Sequence, residues 1–370
     1  MKKLAILGAS YLQKPLVEKA NAMGLETHCF AWDNEEAICK DIAHFFYPVS
    51  VLDKELILEK CQEVKIDGIT TIATDICIPT VTYVAEKMRL ASNSFKSSIL
   101  STNKAEMRKA FEANEVLSPK SMRVSSSENI TSSLKFPLIV KPTDRSGSRG
   151  VNKVATEADL KLAVAAAIQE SIEGRAMIEE FIEGVEVSVE TISWKGEHHI
   201  LAITDKVTTE APYFVELEHH QPSLLPEEIQ QKIKAQTVKA LNSLEIEFGA
   251  SHSEFKINSE GQVYAIEVGA RMGGDFIGSH LVELSTGYDF LKGVIDVALG
   301  EFNSVEFLEK SFSGVYFLCK ETEHLQHYFT EDNVFDVDKR ILKNKNVTIT
   351  NSNDRSGYLI YKSQEKINLQ

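Results

Sequence analysis

The most informative segment of the chain, residues 248–279, reads FGASHSEFKINSEGQVYAIEVGARMGGDFIGS. Residues 251–257 and 262–268 alternate along the chain and carry β-branched or aromatic side chains. The four residues between these runs, Asn-Ser-Glu-Gly, favour a turn. The pattern therefore predicts a β-hairpin.

Two acidic side chains of this hairpin are predicted to lie on one face of the sheet. We pair Ile257 with Gln262. In that register Glu254 lies opposite Ala265, and Glu267 is its diagonal neighbour, about 7–8 Å away between backbones. A one-residue slip would move the two carboxylates to opposite faces, so the prediction depends on the register.

The pair of Glu254 and Glu267 points to a bound cation. Two carboxylates so close together repel each other unless one is protonated or a cation bridges them. Mg²⁺ is usually held by one or two carboxylates together with phosphate oxygens. The Gly-x-Arg-x-Gly-Gly sequence at 269–274 then lets backbone and a fixed cation approach a ligand closely. The alternative is a solvated hairpin face with scattered charges.

The composition is that of an ordinary soluble globular protein. The 370 residues, 43% hydrophobic and 25% charged, suffice for two or three domains with ample core. The net charge of −14 argues against nonspecific binding to nucleic acid or to a membrane surface, and no apolar run is long enough to span a bilayer. Five widely spaced cysteines without a C-x-x-C pair predict reduced thiols in a cytoplasmic protein, with neither zinc nor disulfides.

The first 93 residues alternate between strand and helix patterns. The predicted strands lie at 4–7, 27–31 and 68–73, and the predicted helices at 13–23, 56–64 and 78–88. This order predicts a doubly wound parallel sheet of the α/β class. Residues 8–10 lack a full G-x-G-x-x-G, so they form either a scaffold turn or a site for the polar or anionic end of a substrate. Asp75 either lies beside a ligand or caps a helix, and both alternatives stay open.

Two lysines occupy positions where a positive charge is unfavourable. Lys104 precedes a helical run at 105–114, where its positive charge is repelled by the positive end of the helix macrodipole. A bound anion would relieve this repulsion. Lys141 ends an apolar strand at 136–142, where a lysine needs an acidic partner. The sequence TDRSGSRGV at 143–151 suits a flexible flap that covers phosphates with backbone N–H groups, although the P-loop pattern is absent. Taken alone, this Gly/Ser segment fits an ordinary polar surface loop better.

These motifs, taken in order, resemble the ATP-grasp superfamily over about 91–300. They are the helix-start lysine, the strand ending in Lys-Pro, the Gly/Ser flap, the IEEFIEGVEVS sequence at 178–188, and the glutamate hairpin closing in Glu-x-x-x-Arg. The resemblance implies an ATP-grasp fold, α+β in its ATP-binding part. It also implies three domains, which are a Rossmann-like domain at 1–93, an ATP-grasp domain at 94–303 with a flap subdomain at about 120–182, and a small, mainly β subdomain at 304–370.

The resemblance implies roles for individual residues, with ATP and Mg²⁺ (alternatively Mn²⁺) as cofactors. The residues that contact the phosphates are Lys104, Lys141 and the flap residues Gly147, Ser148 and Gly150. The residues that hold the nucleoside are Glu179, Glu180 and Ile182 at adenine and Glu186 at ribose. The metal ligands are Glu254 and Glu267. Arg271 holds an acyl phosphate or the acceptor carboxylate, and the residues assigned to catalysis are Arg271, Lys141 and Glu267. Gly269 stands where the family often has Asn, which removes a third metal oxygen and leaves open whether one or two magnesium ions bind.

The segment FVELEHHQPS at 214–223 resembles ATP-grasp enzymes that join amino acids or similar carboxylates to amines. In that subgroup such a segment lines the substrate pocket. Glu216 then becomes a candidate for holding the amine and His219 for holding a phosphate, with Gly273 also at the substrate. A metal site at this E-x-x-H pair would need a third ligand that the sequence does not place nearby. A plain surface loop is the remaining alternative.

The resemblance thus implies a ligase that joins a small carboxylate to an amine through an acyl phosphate. Its partners are small molecules, without nucleic acid or membrane. The alternatives are a purine-pathway ligase, a carboxylase of the same superfamily, and a non-catalytic ATP-binding subunit. An interface role for residues 304–370, and hence a homodimer, stays open.

Overall fold

The computed structural model describes residues 1–128, 130, 134–145, 147, 149–211, 213–343 and 347–369. Its first sheet consists of the four strands β1 (Lys3–Leu7), β2 (Glu26–Ala31), β3 (Phe45–Pro48) and β4 (Gly68–Thr70). These strands run in the order β3-β2-β1-β4, and every neighbouring pair is parallel. The helices that accompany them are α1 (Lys14–Ala22), α2 (Lys54–Val64) and α3 (Ile78–Met88). The prediction of a doubly wound parallel sheet is confirmed.

Two short helices lead into a second sheet. They are α4 (Phe95–Thr102) and α5 (Lys104–Ala113). The sheet has the order β5-β8-β6-β7 and consists of β5 (Ser121–Val124), β6 (Leu138–Pro142), β7 (Asn152–Val154) and β8 (Ala176–Glu180). Helix α6 (Glu157–Glu170) covers it, with Thr156 as N-cap.

The third sheet has eight strands. It consists of β9 (Val185–Trp194), β10 (Glu197–Thr208), β11 (Glu216–Gln221), β12 (Gly249–Ile257), β13 (Val263–Gly269), β14 (Phe312–Leu318), β15 (Asp336–Ile341) and β16 (Gly357–Ser363). The strand order is β13-β12-β9-β10-β11-β14-β16-β15. The remaining helices are α7 (Glu227–Ser243), α8 (Val282–Thr286), α9 (Phe290–Ala298) and α10 (Gln326–Thr330). The C-terminal strands therefore continue the sheet that begins with the glutamate hairpin, and the predicted domain limits stay predictions.

One hydrophobic core joins the parallel sheet to the eight-stranded sheet. Leu4 and Ile6 of β1 belong to the same buried cluster as Ile192 of β9 and Ile295 of α9. A buried asparagine supports this junction, since Asn93 donates to the carbonyl of Phe248 at 2.8 Å and accepts from two backbone N–H groups. The polar segment at 91–94 is therefore an anchored connection.

The hairpin is confirmed, but the predicted register is wrong by one residue. Ile257 pairs with Val263, and Phe255 pairs with Ala265. This shift alone would turn Glu267 away from Glu254. A β-bulge follows, however, and it places Glu254 directly opposite Glu267.

The five cysteines are free and buried. In the part of the chain that the structure describes, no helix is both long and apolar enough to cross a membrane. The cytoplasmic location stays a prediction of the cysteine pattern.

Candidate active site

Each carboxylate of the hairpin pair contacts the ammonium group of a buried lysine. Glu267 Oε1 lies 2.7 Å from Lys104 Nζ, and Glu254 Oε1 lies 2.9 Å from Lys206 Nζ. The side chains of Glu254 and Glu267 are both 26% exposed, so they are open to solvent from one side. The hairpin thus presents two acidic groups, each with a positive neighbour, on one face of the sheet.

Arg108 supports the bulge that brings these carboxylates together. The extra residue of a bulge is left without a partner in the ladder. Here that residue is Ile266, and its carbonyl accepts a hydrogen bond of 2.6 Å from Arg108 Nη2. Arg108 lies one helical turn after Lys104 on α5, so one helix contacts both the bulge and Glu267. The sequence reasoning missed this arginine, although its i+4 spacing from Lys104 was a usable signal.

The acidic partner expected for Lys141 is Glu179. Lys141 Nζ lies 2.7 Å from Glu179 Oε2, and Arg108 Nε lies 2.9 Å from Glu179 Oε1. All three side chains are at most 5% exposed. Burial opposes the charged forms; it lowers the pKa of Lys141, whereas the two cations outweigh burial and lower the pKa of Glu179. Each carboxylate oxygen has two lone pairs, so Glu179 keeps the capacity to accept a further bond.

The start of α5 is held to the segment that follows β6. Asn103 caps the helix by accepting from the N–H groups of residues 105 and 106, which leaves Lys104 as the first helical residue. Lys104 Nζ also donates to the carbonyl of Arg145 at 2.7 Å, just before the predicted flap glycines. Gly147 and Gly150 have left-handed backbones, with φ of 68° and 71°. Ser148 lies outside the described residues.

The strand end assigned to adenine lies beside β5. The Glu180 N–H donates to the carbonyl of Lys120 at 2.9 Å, and its carboxylate accepts from the Lys120 N–H at 3.1 Å. Ile182 follows the end of β8 and is partly buried. Their assignment to adenine stays a prediction.

Lys206 connects three of the predicted site residues. Its buried ammonium lies 2.8 Å from Glu186, 2.9 Å from Glu254 and 3.5 Å from Glu216. Lys206 and Glu186 are opposite each other on β10 and β9, so they share a face of the sheet. Burial opposes the charge of Lys206, but the three carboxylates raise its pKa well above the ordinary value. The ribose, metal and amine positions implied by the resemblance thus share one cation, which the sequence reasoning did not assign.

Arg271 forms a bidentate ion pair with Asp75, which follows strand β4 of the parallel sheet. Arg271 Nε and Nη2 donate to the two carboxylate oxygens of Asp75, both at 2.9 Å. Asp75 is not a helix cap, because Thr74 and Cys77 occupy the N-cap positions of the 3₁₀ turn and of α3, and its position beside a ligand stays a prediction. Burial alone would raise the pKa of Asp75, but Arg271 outweighs it and lowers the pKa. The pair also explains Gly269, because a Cβ there would lie 2.8 Å from Asp75 Oδ1 and 3.2 Å from the Arg271 guanidinium carbon.

Gly273 is required by close packing. A Cβ at Gly273 would lie 2.5 Å from Glu190 Oε1 and 2.7 Å from His252 Nδ1. The Gly273 N–H donates to Glu190 at 2.9 Å, so in this structure that donor is already used. Glu190 is completely buried and pairs with His252 across β9 and β12. Burial opposes protonation of His252, but Glu190 outweighs it and raises the pKa to about 9.

Glu216 contacts a C-terminal arginine that the sequence reasoning did not assign, and His219 lies near Asp275, a second carboxylate that this arginine contacts. Arg355 Nη2 lies 3.2 Å from the Glu216 carboxylate, and Nη1 donates to Asp275 at 2.8 Å. His219 is 1% exposed, and its Nε2 lies 3.8 Å from Asp275, beyond hydrogen-bonding distance. Asp275 follows the Gly-Gly pair directly, which was a usable signal. No local pattern marks Arg355, because it lies 80 residues beyond Asp275.

The residues present fit a magnesium ion held partly by a nucleotide. Glu254 and Glu267 supply hard oxygen ligands on one face of paired strands. Among the described residues there is no group of three or more His, Cys, Asp or Glu side chains arranged to hold a metal. This donor set suits Mg²⁺, which commonly takes its remaining ligands from phosphate and water.

Comparison with known proteins places the fold in a class. Residues 134–279 match the family model of the ATP-grasp domain. The chain therefore carries an ATP-grasp domain, and the fold prediction is confirmed.

The chain is similar in sequence to named ligases. It is 34% identical to the D-alanine--D-alanine ligase of Flavobacterium johnsoniae over 38% of this chain and 44% of that protein. It is 27% identical to the alanine--anticapsin ligase of Bacillus subtilis over 72% of this chain and 64% of that protein. The chain thus spans less than two thirds of the length of these curated relatives.

Solved structures share the fold over almost the whole chain. The L-amino acid ligase of Bacillus licheniformis has a TM-score of 0.82 at 23% identity, covering 99% of this chain and 94% of that one. The phosphoribosylglycinamide synthetase of Anaerococcus prevotii has a TM-score of 0.77 at 21% identity, covering 98% and 94%. At these identities the likeness concerns the fold.

Proposed function

We propose that the protein is an ATP- and Mg²⁺-dependent ligase that joins a small carboxylate to an amine through an acyl phosphate. The observation that carries the proposal is the direct pairing of Glu254 with Glu267, with Lys206 and Lys104 beside them. The two sequence relatives are both ligases with alanine in their names, which supports the choice of a carboxylate and an amine as substrates.

The magnesium ion, when bound, would neutralise phosphate charge between Glu254 and Glu267. Lys104 lies on helix α5 and Lys141 on strand β6. Each ammonium group is held in position by a carboxylate, Glu267 for Lys104 and Glu179 for Lys141. In the proposed reaction these lysines orient the phosphates and balance the charge of the transferring γ-phosphoryl group. The flap glycines, whose backbones adopt left-handed conformations, close over the phosphates and exclude water from the acyl phosphate.

Arg271 stabilises the oxyanion of the acyl phosphate by charge-assisted hydrogen bonds. The third guanidinium nitrogen, Nη1, makes only one long contact among the described residues, at 3.4 Å to the carbonyl of Met272. Asp75 fixes the plane of the guanidinium through the other two nitrogens. The amine then attacks the acyl carbon and phosphate leaves.

The test is substrate-dependent ADP release with Mg²⁺ and ATP across a matrix of amino acids and small carboxylic acids. We expect at least one carboxylate–amine pair to release ADP, and Glu267→Gln to reduce that rate by at least about 100-fold, the order lost when a transition-state charge contact is removed. Glu260→Gln, in the exposed hairpin turn, is the matched control. Near-normal turnover by Glu267→Gln, or no ADP release with any pair, would contradict the proposal.

A further inference from the structure

His252 lies between two carboxylates of the eight-stranded sheet. Its Nδ1 contacts Oε1 of Glu190, and its Nε2 lies 3.3 Å from Oε1 of Glu254. The strands dictate this arrangement, because His252 is directly opposite Glu190 on β9 and shares a face of β12 with Glu254, two residues later. The imidazole thus joins a completely buried carboxylate to one that is 26% exposed.

Both nitrogens of this ring act as donors. An ionised carboxylate only accepts hydrogen bonds, so a ring that faces a carboxylate on each side donates from Nδ1 and from Nε2 and carries a positive charge. In the part of the chain that the structure describes, Glu190 forms no ion pair except with His252. The pair is therefore close to neutral as a unit, and it donates to Glu254 without adding net charge beside that carboxylate.

Glu190 is itself fixed by the loop after β13. Its Oε2 accepts from the Gly273 N–H at 2.9 Å, while its Oε1 contacts the ring of His252. A Cβ at Gly273 would overlap both groups, so the glycine lets the loop close directly over the carboxylate and the ring. The side chain of His252 is only 8% exposed and has little room to turn, which keeps Nε2 aimed at Glu254.

The two carboxylates of the hairpin are held differently. Glu254 Oε1 accepts from His252 and also from Lys206 Nζ at 2.9 Å, whereas no donor to its Oε2 lies among the described residues. Glu267 accepts from one described donor, Lys104 Nζ, and again through Oε1. Each glutamate thus keeps Oε2 for a ligand, and Glu254 is the more firmly oriented of the two.

We propose that His252, backed by Glu190, is a positioning residue that holds Glu254 Oε1 and thereby presents Oε2 to the divalent cation. The inference rests on the metal site of the proposed ligase, and it assigns a role to two buried side chains that the proposed reaction does not use. A ligand that is oriented before the cation arrives loses less conformational freedom on binding. Hydrogen-bond partners of this kind contribute roughly 10- to 100-fold to metal affinity.

The test separates the two nitrogens of the ring. The amide nitrogen of asparagine is as many bonds from Cβ as Nδ1 is, and the amide nitrogen of glutamine is as many as Nε2. His252→Asn thus keeps the donor to Glu190 and loses the donor to Glu254, whereas His252→Gln does the reverse. The dissociation constant of Mn²⁺, which takes oxygen ligands as Mg²⁺ does, is measured by electron paramagnetic resonance with the full chain and saturating ADP.

We expect His252→Asn to raise the Mn²⁺ dissociation constant roughly 10- to 100-fold and His252→Gln to raise it less than about 10-fold. Urea denaturation should give the opposite order, with His252→Gln the less stable variant, because the buried carboxylate of Glu190 then loses its donor. A purely structural role would rank Mn²⁺ affinity in the same order as stability, and that result would overturn the inference.

The matched control is His198→Asn, because the ring of His198 also contacts a partner through each nitrogen, Ser193 and Asn242, and its loss should leave the Mn²⁺ affinity unchanged. Crystals of the wild type with ADP and Mn²⁺ keep the test decisive if neither His252 variant folds. The cation should lie closer to Oε2 than to Oε1 of Glu254, with His252 Nε2 still against Oε1. A cation on Oε1, or no Mn²⁺ binding by the wild type, would overturn the inference. If the ligase proposal fails instead, the order of Mn²⁺ affinities persists while no substrate pair releases ADP.

Discussion

Replacing Arg108 with methionine tests how Glu254 and Glu267, the two proposed metal ligands, are brought together. The substitution keeps a good helix former of similar length and removes three interactions, namely the 2.6 Å bond to the Ile266 carbonyl and the two contacts to Glu179 at 2.9 and 3.3 Å. A buried carbonyl left without a donor costs about 1–3 kcal/mol. A buried charge left without any partner costs about 3–5 kcal/mol. The cost at Glu179 is smaller, because this carboxylate keeps its contact with Lys141.

Together these losses predict that the free energy of unfolding falls by about 2–4 kcal/mol in Arg108→Met. Urea denaturation measures this change. The bulge should also relax, which would turn Glu267 away from Glu254. Calorimetry of ADP binding with and without Mg²⁺ would then show a smaller effect of Mg²⁺ than in the wild type.

The matched control is Arg123→Met. Arg123 makes an ion pair of 3.5 Å with Glu106 on the surface, so its loss should change stability by no more than about 0.5 kcal/mol. The reasoning is refuted if Arg108→Met loses less than about 1 kcal/mol and keeps the full effect of Mg²⁺ on ADP affinity.

Two further predictions concern the loop after β13. Gly273→Ala places a Cβ against two buried side chains, so urea unfolding should show a free energy of unfolding lower by about 1–3 kcal/mol. The Cβ of Gly274→Ala meets its nearest atom at 3.6 Å, so this variant should be about as stable as the wild type. Equal losses of stability in the two variants would contradict the packing account. Because the folded state lowers the pKa of Asp75, the stability from its pair with Arg271 is present above about pH 4 and is lost as the pH falls through the folded-state pKa. The difference in unfolding free energy between wild type and Asp75→Asn should therefore be constant from pH 7 to 5 and shrink below pH 4, and a difference independent of pH would contradict the ion pair.

The hairpin illustrates what the sequence could predict and where local patterns were insufficient. Alternation and turn formers predicted the two strands and their antiparallel pairing. The register at the turn was predicted one residue away from the observed one, in which Ile257 pairs with Val263. The further shift at Ile266 was not predicted, because nothing local marks that bulge. The bulge is stabilised by Arg108, which lies 158 residues earlier in the chain, so the register beyond it depended on a tertiary contact.

The same limit applies to the charged partners of the site. Lys141 was expected to need an acidic partner, because a buried lysine at a strand end is costly without one. The pairing of Arg271 with Asp75 joins residues 196 apart, and that of Arg355 with Asp275 joins residues 80 apart. A periodic pattern indicates which face a residue occupies, but it carries no information about which distant charge meets it.

Crystals grown with ADP and Mn²⁺ offer the most direct measurement of the central feature, since Mn²⁺ takes oxygen ligands as Mg²⁺ does and scatters anomalously. We predict an anomalous peak at coordination distance, about 2.0–2.3 Å, from a carboxylate oxygen of Glu254 and from one of Glu267, with phosphate oxygens completing the shell. A peak that contacts only one of these glutamates, or nucleotide bound without any peak between them, would contradict the account.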